Sequence, residues 1–431
     1  MILTRQAGAI FRRSLVAALV GLLIASAPGL WVSADSERQL ESDHFLLTYS
    51  VSSGVEAQAM AYAASVRDAL EAAYQVLVVQ DRFPVPAEKI EVQLVTTQSG
   101  EFGSEYLIQD EDGSLRPVIE IAVAAAMQDA LSGLVVAVTL EDEVRSTAAH
   151  ELFHAIQDTL ALRSQNDMSD LCFVESLATW AQEEVVPLAN DYLEPALDFL
   201  VAPDALGFFH RTYDAGIFWV FLASRHGEAQ AIRRVMTSSV TFDGRYAIED
   251  AFAAEGLSFL DLWEEFAVAL AAESVPDGDR IKTLFPLPDP EAKSQRPTRF
   301  VELPPPVVQG TWSGGEVTID RVTVASETPY DSEFEEDPVG AALRMAHAYG
   351  IDFLHLVAKG ERPMTIAFSG DQGTEFRVDV ITRRGSSVAS QRLSQGTPIR
   401  IDLPSSYDEI RVAVTRGEAG SGTYHLTLRE G

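Results

Sequence analysis

Two histidines and a glutamate lie close together in the run His150-Glu151-Leu152-Phe153-His154. In a helix, a spacing of four residues is slightly more than one turn, so both imidazoles project from the same face and can bind one ion. Glu151 then lies beside that ion, where its carboxylate can take a proton from a metal-activated water. The pattern therefore predicts a metal centre with hydrolytic chemistry.

A third metal ligand is predicted at Glu175, in the run Glu175-Ser176-Leu177-Ala178-Thr179-Trp180. Twenty residues separate His154 from Glu175, which places the glutamate on the next predicted helix. Three protein ligands leave zinc a fourth position for water, so we expect Zn²⁺ held by His150, His154 and Glu175. Asp170 is an alternative carboxylate, but it is better placed to cap the helix that carries Glu175.

The segment that carries the two histidines is predicted to be a buried helix from Leu140 to Leu162. Thr139 can cap its first turn, with Asp142 three residues further on, and the acidic residues of that turn suit the positive end of a helix. Apolar neighbours of the histidines cover much of the helix circumference. Two histidines on a buried helix need polar partners, and a shared metal ion would meet that need.

The elements around this helix predict an α+β fold. Strands at Phe45 to Tyr49 and Ile90 to Val95, a helix from Val55 to Val79, and a hairpin of Tyr106 to Gln109 with Val118 to Val123 indicate a mixed sheet with one long helix. Beyond the sheet the chain is mostly helical to residue 272. The further predicted helices are Asp170 to Val185, Tyr213 to Arg225, Glu228 to Met236, Tyr246 to Ala254 and Phe259 to Ala272.

A change in amino-acid composition and pattern divides the chain after residue 285. Seven of the 20 prolines fall between Pro286 and Pro306, which predicts a stiff linker with few contacts across it. Seven short alternating runs then predict a β-sandwich over residues 307–431. The acidic stretch 331–337 lacks the spacing of a calcium loop and is expected to be a solvated loop. The domains are thus a catalytic unit at 35–285, a linker at 286–306 and the sandwich.

The first 34 residues predict a secretory signal peptide. They contain three arginines and no acidic residue, then an apolar run from Leu15 to Ile24 and small residues that end at Ala34. Pro28 interrupts the apolar stretch before it reaches the roughly 20 residues that span a bilayer, so we expect removal of the segment rather than stable membrane insertion. The chain is therefore predicted to be secreted or periplasmic.

The charge balance argues against nucleic-acid and anionic-membrane partners. The chain carries 32 basic and 64 acidic residues, a net charge of −32, and loss of the three signal-peptide arginines takes it to −35. Its one cysteine, Cys172, cannot form an internal disulfide and is expected to be a small core residue. The aromatic residues Trp180, Phe218, Trp219 and Phe221 are also expected in the core.

Taken together, these motifs resemble the gluzincin peptidases, and most closely a bacterial group of secreted metalloproteases. The resemblance rests on His-Glu-Leu-Phe-His at 150–154, on Glu175-Ser176-x-Ala178-x-Trp180 and on Tyr213-Asp214-Ala215-Gly216, and it covers roughly residues 40–272. It implies a thermolysin-like (zincin) catalytic unit with a mixed-sheet N-terminal lobe and a helical C-terminal lobe. The strand Val118 to Val123 would then border the cleft and pair with an extended substrate.

The resemblance also implies an activity, zinc-dependent hydrolysis of peptides or proteins with Glu151 as general base and Tyr213 as a donor to the oxyanion. His210 is a second residue that could approach the cleft. The chain departs from the family at Thr179, where thermolysin-like enzymes have a supporting Asp, and it lacks the Gly-x-Met-x-Asn signature of aminopeptidases, which favours an endopeptidase. A metzincin is excluded because Gln157 and Leu160 replace the required Gly and His.

Two other functions are compatible with the sequence. The first is a surface-binding protein that keeps the peptidase fold as an inactive scaffold, although the intact ligand set with Glu151 in place argues against it. The second is a zinc hydrolase that acts on a substrate other than a peptide.

Overall fold

A computed structural model describes residues 36–97, 101–134, 136–160, 168–201, 203, 206–277, 308–312, 317–323, 349–358, 363–384, 387–401, 409–417 and 422–430. The predicted signal peptide at 1–34, the predicted linker at 286–306 and the acidic stretch at 331–337 lie outside the described residues. The described part is α+β, with a mixed sheet and helices followed by two β-sheets.

The N-terminal sheet has five strands, β1 Ser36–Glu41, β2 Phe45–Val51, β3 Ile90–Val95, β4 Gly103–Gln109 and β5 Leu115–Ala122. Their order is β1-β2-β3-β5-β4, in which β2, β3 and β5 are parallel and the outer strands β1 and β4 are antiparallel to their neighbours. The predicted mixed sheet and the β4–β5 hairpin are confirmed. The alternation of buried and partly exposed residues along β2 fits a sheet with one face in the core.

The expectation that the strand Val118 to Val123 pairs with an extended substrate is wrong. Val118 to Ala122 belong to β5, which pairs with β3 on one side and β4 on the other, and Val123 follows the strand. A strand paired on both sides has no backbone groups left for a substrate strand. Among the described strands, β4 is the edge of the sheet on this side.

Nine α-helices occur in the described part of the chain: α1 Glu56–Tyr74, α2 Ala124–Leu131, α3 Leu140–Thr159, α4 Met168–Val185, α5 Leu193–Val201, α6 Gly216–His226, α7 Ala229–Ser239, α8 Gly244–Ala251 and α9 Phe259–Ala271. Helix α1 continues as one π-helical segment, Gln75–Gln80, and packs against β2 and α3. The sequence did not predict α2 and α5. None of the described helices is long and apolar enough to cross a membrane.

The helix with the two histidines begins where the sequence predicts. The amide of Asp142 donates to Oγ1 of Thr139 over 3.1 Å, which satisfies one of the unpaired N–H groups at the helix start. From Glu143 to Gln157 the helix is buried except at one residue, Arg145, because α1, α4 and the sheet surround it. The predicted buried helix is thus confirmed, and it passes between the N-terminal sheet and the other helices.

The C-terminal part contains two sheets built from β6 Val308–Trp312, β7 Val317–Thr323, β8 Ile351–Ala358, β9 Met364–Gly370, β10 Phe376–Arg384, β11 Ser387–Arg392, β12 Ile399–Ile401, β13 Glu409–Arg416 and β14 Gly422–Glu430. Their orders are β11-β10-β13-β8-β6 and β12-β9-β14-β7. Apolar residues from both sheets, such as Val412 and Leu426, form one buried cluster. The seven predicted strands are present, and β6 and β11 are additional.

The two parts of the chain are in contact, so the expectation of few contacts across the linker is wrong. Helix α9 packs against β13 and β10, and residues such as Ile351 and Phe353 join the hydrophobic core of the N-terminal part. Arg377 pairs with Asp261 and, at 3.1 Å, with Glu264 on α9. Arg411 donates to the carbonyl of Ala271 over 2.9 Å. In the C-terminal part, the five-stranded sheet β11-β10-β13-β8-β6 therefore lies between the four-stranded sheet and α9.

Candidate metal centre

Three side chains from two neighbouring helices converge at one point. Nε2 of His150 and Nε2 of His154, both on α3, lie 3.4 and 3.5 Å from Oε2 of Glu175 on α4. All three ligand atoms lie within 4.8 Å of one another. Donor atoms at the corners of a tetrahedral zinc site, with bonds of about 2.0–2.1 Å, are roughly 3.3–3.4 Å apart. Both distances to Glu175 are of this size, and the group can therefore bind a metal ion.

The pKa values of Glu175 and His150 are shifted by the side chains around them. Burial by itself raises the pKa of Glu175, but His154 and His150 outweigh it and hold the pKa well below its ordinary value. Burial lowers the pKa of His150, while the hydrogen bond to Glu175 and the charge of Glu151 raise it, with a net rise. Glu175 is thus a carboxylate at neutral pH, the form in which it binds a metal, and protons compete for the site as the pH falls.

Glu151 is buried on α3, between the two histidines in sequence and against the edge strand of the sheet. A Cβ built on Gly103 of β4 would lie 2.8 Å from its Oε1. Only a glycine therefore lets β4 approach this carboxylate so closely. The packing holds a carboxylate that can accept a proton next to the edge of the sheet.

Tyr213 lies over the metal-binding group. Its ring stacks on that of His150, with centroids 5.7 Å apart and an angle of 17° between the planes, and the residue is 36% exposed. It begins a 3₁₀ turn, Tyr213–Ala215, that leads into α6. Asp214 holds this turn by accepting from Nη1 of the buried Arg211 over 2.6 Å and from the amide of Thr212 over 3.0 Å. The phenol thus stands at the partly open side of the site.

The position of this turn is set by close packing of α6 on α4. A Cβ on Gly216 would lie 2.6 Å from Cγ2 of Thr179, so the two helices meet at a glycine. Nε1 of Trp219 donates to Oγ of Ser176 over 2.6 Å. Because Ser176 and Thr179 belong to the same helix as Glu175, these contacts fix Tyr213 relative to Glu175.

Sequence reasoning missed several polar residues around the ligands. Gln157 contacts Nδ1 of His154, and Gln182 donates to Asp191 over 2.7 Å. Glu143 is 1% exposed on α3, and burial together with the charge of Asp191 raises its pKa to about 9. Glu143 is therefore protonated at neutral pH. No spacing rule relates these residues to the His-Glu-x-x-His pattern, so the sequence carried little signal for them.

The structure describes the surroundings of most of the remaining candidates. His210 is exposed at the end of the 3₁₀ turn Phe208–His210. The side chain of Asp170 lies outside the described part of the chain, although its backbone is in the first turn of α4. Cys172 is fully buried and donates to the carbonyl of Phe208, and burial raises the pKa of its thiol, as expected for a core residue. The predicted core aromatics are all buried: Trp180, Phe218, Trp219 and Phe221.

Comparisons with known proteins do not assign a family. No family model matches the chain, and no curated protein matches it. Among solved structures, the chain is similar to a protein of Bacillus endospore appendages, described as a novel family of disulfide-linked pili. The identity is 15%, over 27% of this chain and 83% of that chain, with a TM-score of 0.14. A TM-score this low carries no argument about the present chain.

Proposed function

We propose that the protein is an exported, zinc-dependent peptidase that cleaves within extended peptides or unfolded proteins. His150, His154 and Glu175 would hold the zinc ion. The observation that carries the proposal is the meeting of these three ligand atoms beside the buried carboxylate of Glu151. A metal site that only stabilised the fold would not need the additional carboxylate of Glu151 beside its ligands.

The proposed mechanism gives each residue one task. Zinc, when bound, lowers the pKa of a water and polarises a carbonyl group. Glu151 accepts the proton of the attacking water and delivers it to the leaving amine. Tyr213, stacked on His150, donates its phenolic hydrogen to the oxyanion that develops on the carbonyl. Burial of Glu151 keeps bulk water away from its carboxylate and strengthens its interactions.

The position of strand β4 at the edge of the sheet is consistent with the proposal of an extended substrate. Its outer edge has no paired strand among the described residues, and Gly103 at its start lies against Glu151. A substrate strand that pairs with β4 would pass the carboxylate that accepts the proton. Backbone pairing reads no side chain, so it suits an enzyme that cleaves unfolded proteins of varied sequence.

The test is metal analysis combined with hydrolysis of an unfolded protein. We expect one zinc per chain and a hydrolysis that stops with a chelator and returns with added zinc. Glu175→Ala should bind zinc at least on the order of a hundredfold more weakly, because two histidines alone hold the ion poorly. The matched control, Glu249→Ala on α8, should bind zinc like the parent.

Two results would contradict the proposal. A protein that contains no zinc, or that hydrolyses the substrate equally in the presence of chelator, is not a zinc peptidase. A zinc-loaded protein that cleaves esters or other non-peptide substrates, but no peptide, is a different hydrolase.

A further inference from the structure

Gln157 is a buried amide with a hydrogen bond at each end. It lies on α3 three residues after His154, on the same face, and is 1% exposed. Its Oε1 lies 2.8 Å from Nδ1 of His154. Its Nε2 donates to the carbonyl of Val174 on α4 over 2.9 Å. One glutamine side chain therefore joins the helix with two metal ligands to the helix with the third.

These two contacts determine where the proton of His154 lies. A backbone carbonyl can only accept, so the end of the amide that faces Val174 must be the NH₂ group. The carbonyl oxygen of Gln157 then faces His154, and it can only accept as well. Nδ1 of His154 must carry the hydrogen, which leaves the lone pair on Nε2. That nitrogen is the one 3.5 Å from Oε2 of Glu175.

The same contacts set the position of the ring. Val174 directly precedes Glu175, so the amide bridges from the imidazole of one ligand to the backbone beside another. A metal-binding histidine is held in this way when its second nitrogen donates to a fixed acceptor. The hydroxyl of Thr179, one helical turn after Glu175, donates to the carbonyl of Glu175.

We propose that Gln157 is a positioning residue, which holds His154 in the Nδ1–H tautomer and fixes its distance from Glu175. The proposal rests on the metal-binding part of the proposed function and not on peptidase activity. Removing the acceptor should therefore change two quantities, the tautomer of His154 in the metal-free protein and the affinity for zinc.

The experiment compares two substitutions that differ only at the ends of the side chain. Gln157→Met keeps the length but accepts no hydrogen bond from His154. Gln157→Glu keeps an acceptor for Nδ1–H and loses the donor to Val174. The tautomer is read from ¹⁵N chemical shifts of the imidazole in the metal-free full-length protein. A surface glutamine on α7, substituted as Gln230→Met, is the matched control.

In the parent and in the control, His154 should be the Nδ1–H tautomer alone. Gln157→Met should give a mixture of tautomers and bind Zn²⁺ about 10–100-fold more weakly, as is typical when the partner of a metal-binding histidine is removed. Gln157→Glu should restore the single tautomer and most of the affinity. A residue that only fills space would leave the tautomer unchanged in all three variants.

A single Nδ1–H tautomer with parental zinc affinity in Gln157→Met overturns the proposal. If Gln157→Met does not fold, Gln157→Glu decides, because a mixture of tautomers in that variant also overturns the proposal. Loss of peptide hydrolysis has no bearing on either readout. A protein that binds zinc through a Gln157-held histidine but cleaves no peptide would contradict the proposed function and leave this inference intact.

Discussion

Substitution of Gly103 by alanine should remove catalysis and leave the metal centre in place. The added Cβ would lie 2.8 Å from Oε1 of Glu151, 2.9 Å from the carbonyl of Glu120 and 2.9 Å from Cγ2 of Thr147. Each distance is about 0.5–0.6 Å short of an ordinary contact of 3.4 Å. The carbonyl belongs to the paired strand β5 and the methyl to the buried helix α3, so neither moves easily. The carboxylate of Glu151 is the group that gives way.

The expected magnitude follows from that displacement. A shift of a catalytic group by a large fraction of an ångström lowers turnover on the order of a hundredfold. Overpacking of this kind destabilises by about 1–3 kcal/mol, so the protein should still fold. His150, His154 and Glu175 are not touched, and zinc affinity should change by less than about threefold.

The assay measures kcat on an unfolded protein substrate, zinc affinity by chelator competition, and Tm, for Gly103→Ala and a control. The control is Gly133→Ala, whose Cβ would meet only the carbonyl of Ala130, at an ordinary 3.5 Å. A folded, zinc-loaded Gly103→Ala protein with the parental kcat would refute the role given to the Glu151 carboxylate. Loss of zinc would show that β4 supports the ligands rather than the base.

Three further predictions concern other parts of the molecule. Tyr213→Phe should lower kcat on the order of a hundredfold, with little change in KM, zinc content or Tm, because only a donor to the transition state is lost. A zinc-loaded Tyr213→Phe protein with the parental kcat would show that Tyr213 has no catalytic role. Burial and the nearby charges of Asp81 and Glu228 raise the pKa of Glu184 to about 7, so its folded form binds a proton more tightly than its unfolded form. Stability should therefore fall as the pH rises from 5 to 7.5, and Glu184→Gln should flatten that fall and raise Tm at pH 7.5 by about 2–4 °C; an unchanged slope in thermal unfolding would contradict this. A chain that ends at residue 285 should aggregate in size-exclusion chromatography or unfold at a much lower temperature than the full chain. Helix α9 would lose the sheet that covers it, and the buried Glu264 would lose its partner Arg377. A stable, active monomer would contradict this prediction.

The elements with strong local signals were predictable from the sequence. Helix α3 has an N-cap at Thr139, acidic residues in its first turn and a continuous apolar surface, and its start matches the prediction. The β4–β5 hairpin was predictable because Asp112-Gly113 supplies a turn, and Gly113 has a positive φ of 87°. The closeness of His150 and His154 follows from helical spacing alone.

What the sequence could not give is the arrangement of these elements in space. The order β3-β5-β4 places β4 at the edge, and no local pattern distinguishes the inner strand of a hairpin from the outer one. The packing of α9 on the C-terminal sheet depends on Arg377 and Arg411, which in sequence look like ordinary surface residues. The bridge from His154 through Gln157 to Val174 crosses between two helices, and its length is set by their packing.

The most direct test of the account is Glu151→Gln, measured for zinc content and hydrolysis on the same preparation. The substitution keeps the shape of the side chain and leaves the three metal ligands in place, so we expect the parental zinc content. Because the amide cannot accept the proton of the attacking water, hydrolysis of an unfolded protein should fall by about 10²–10⁴-fold. A zinc-loaded Glu151→Gln protein that hydrolyses the substrate at the parental rate would contradict the account.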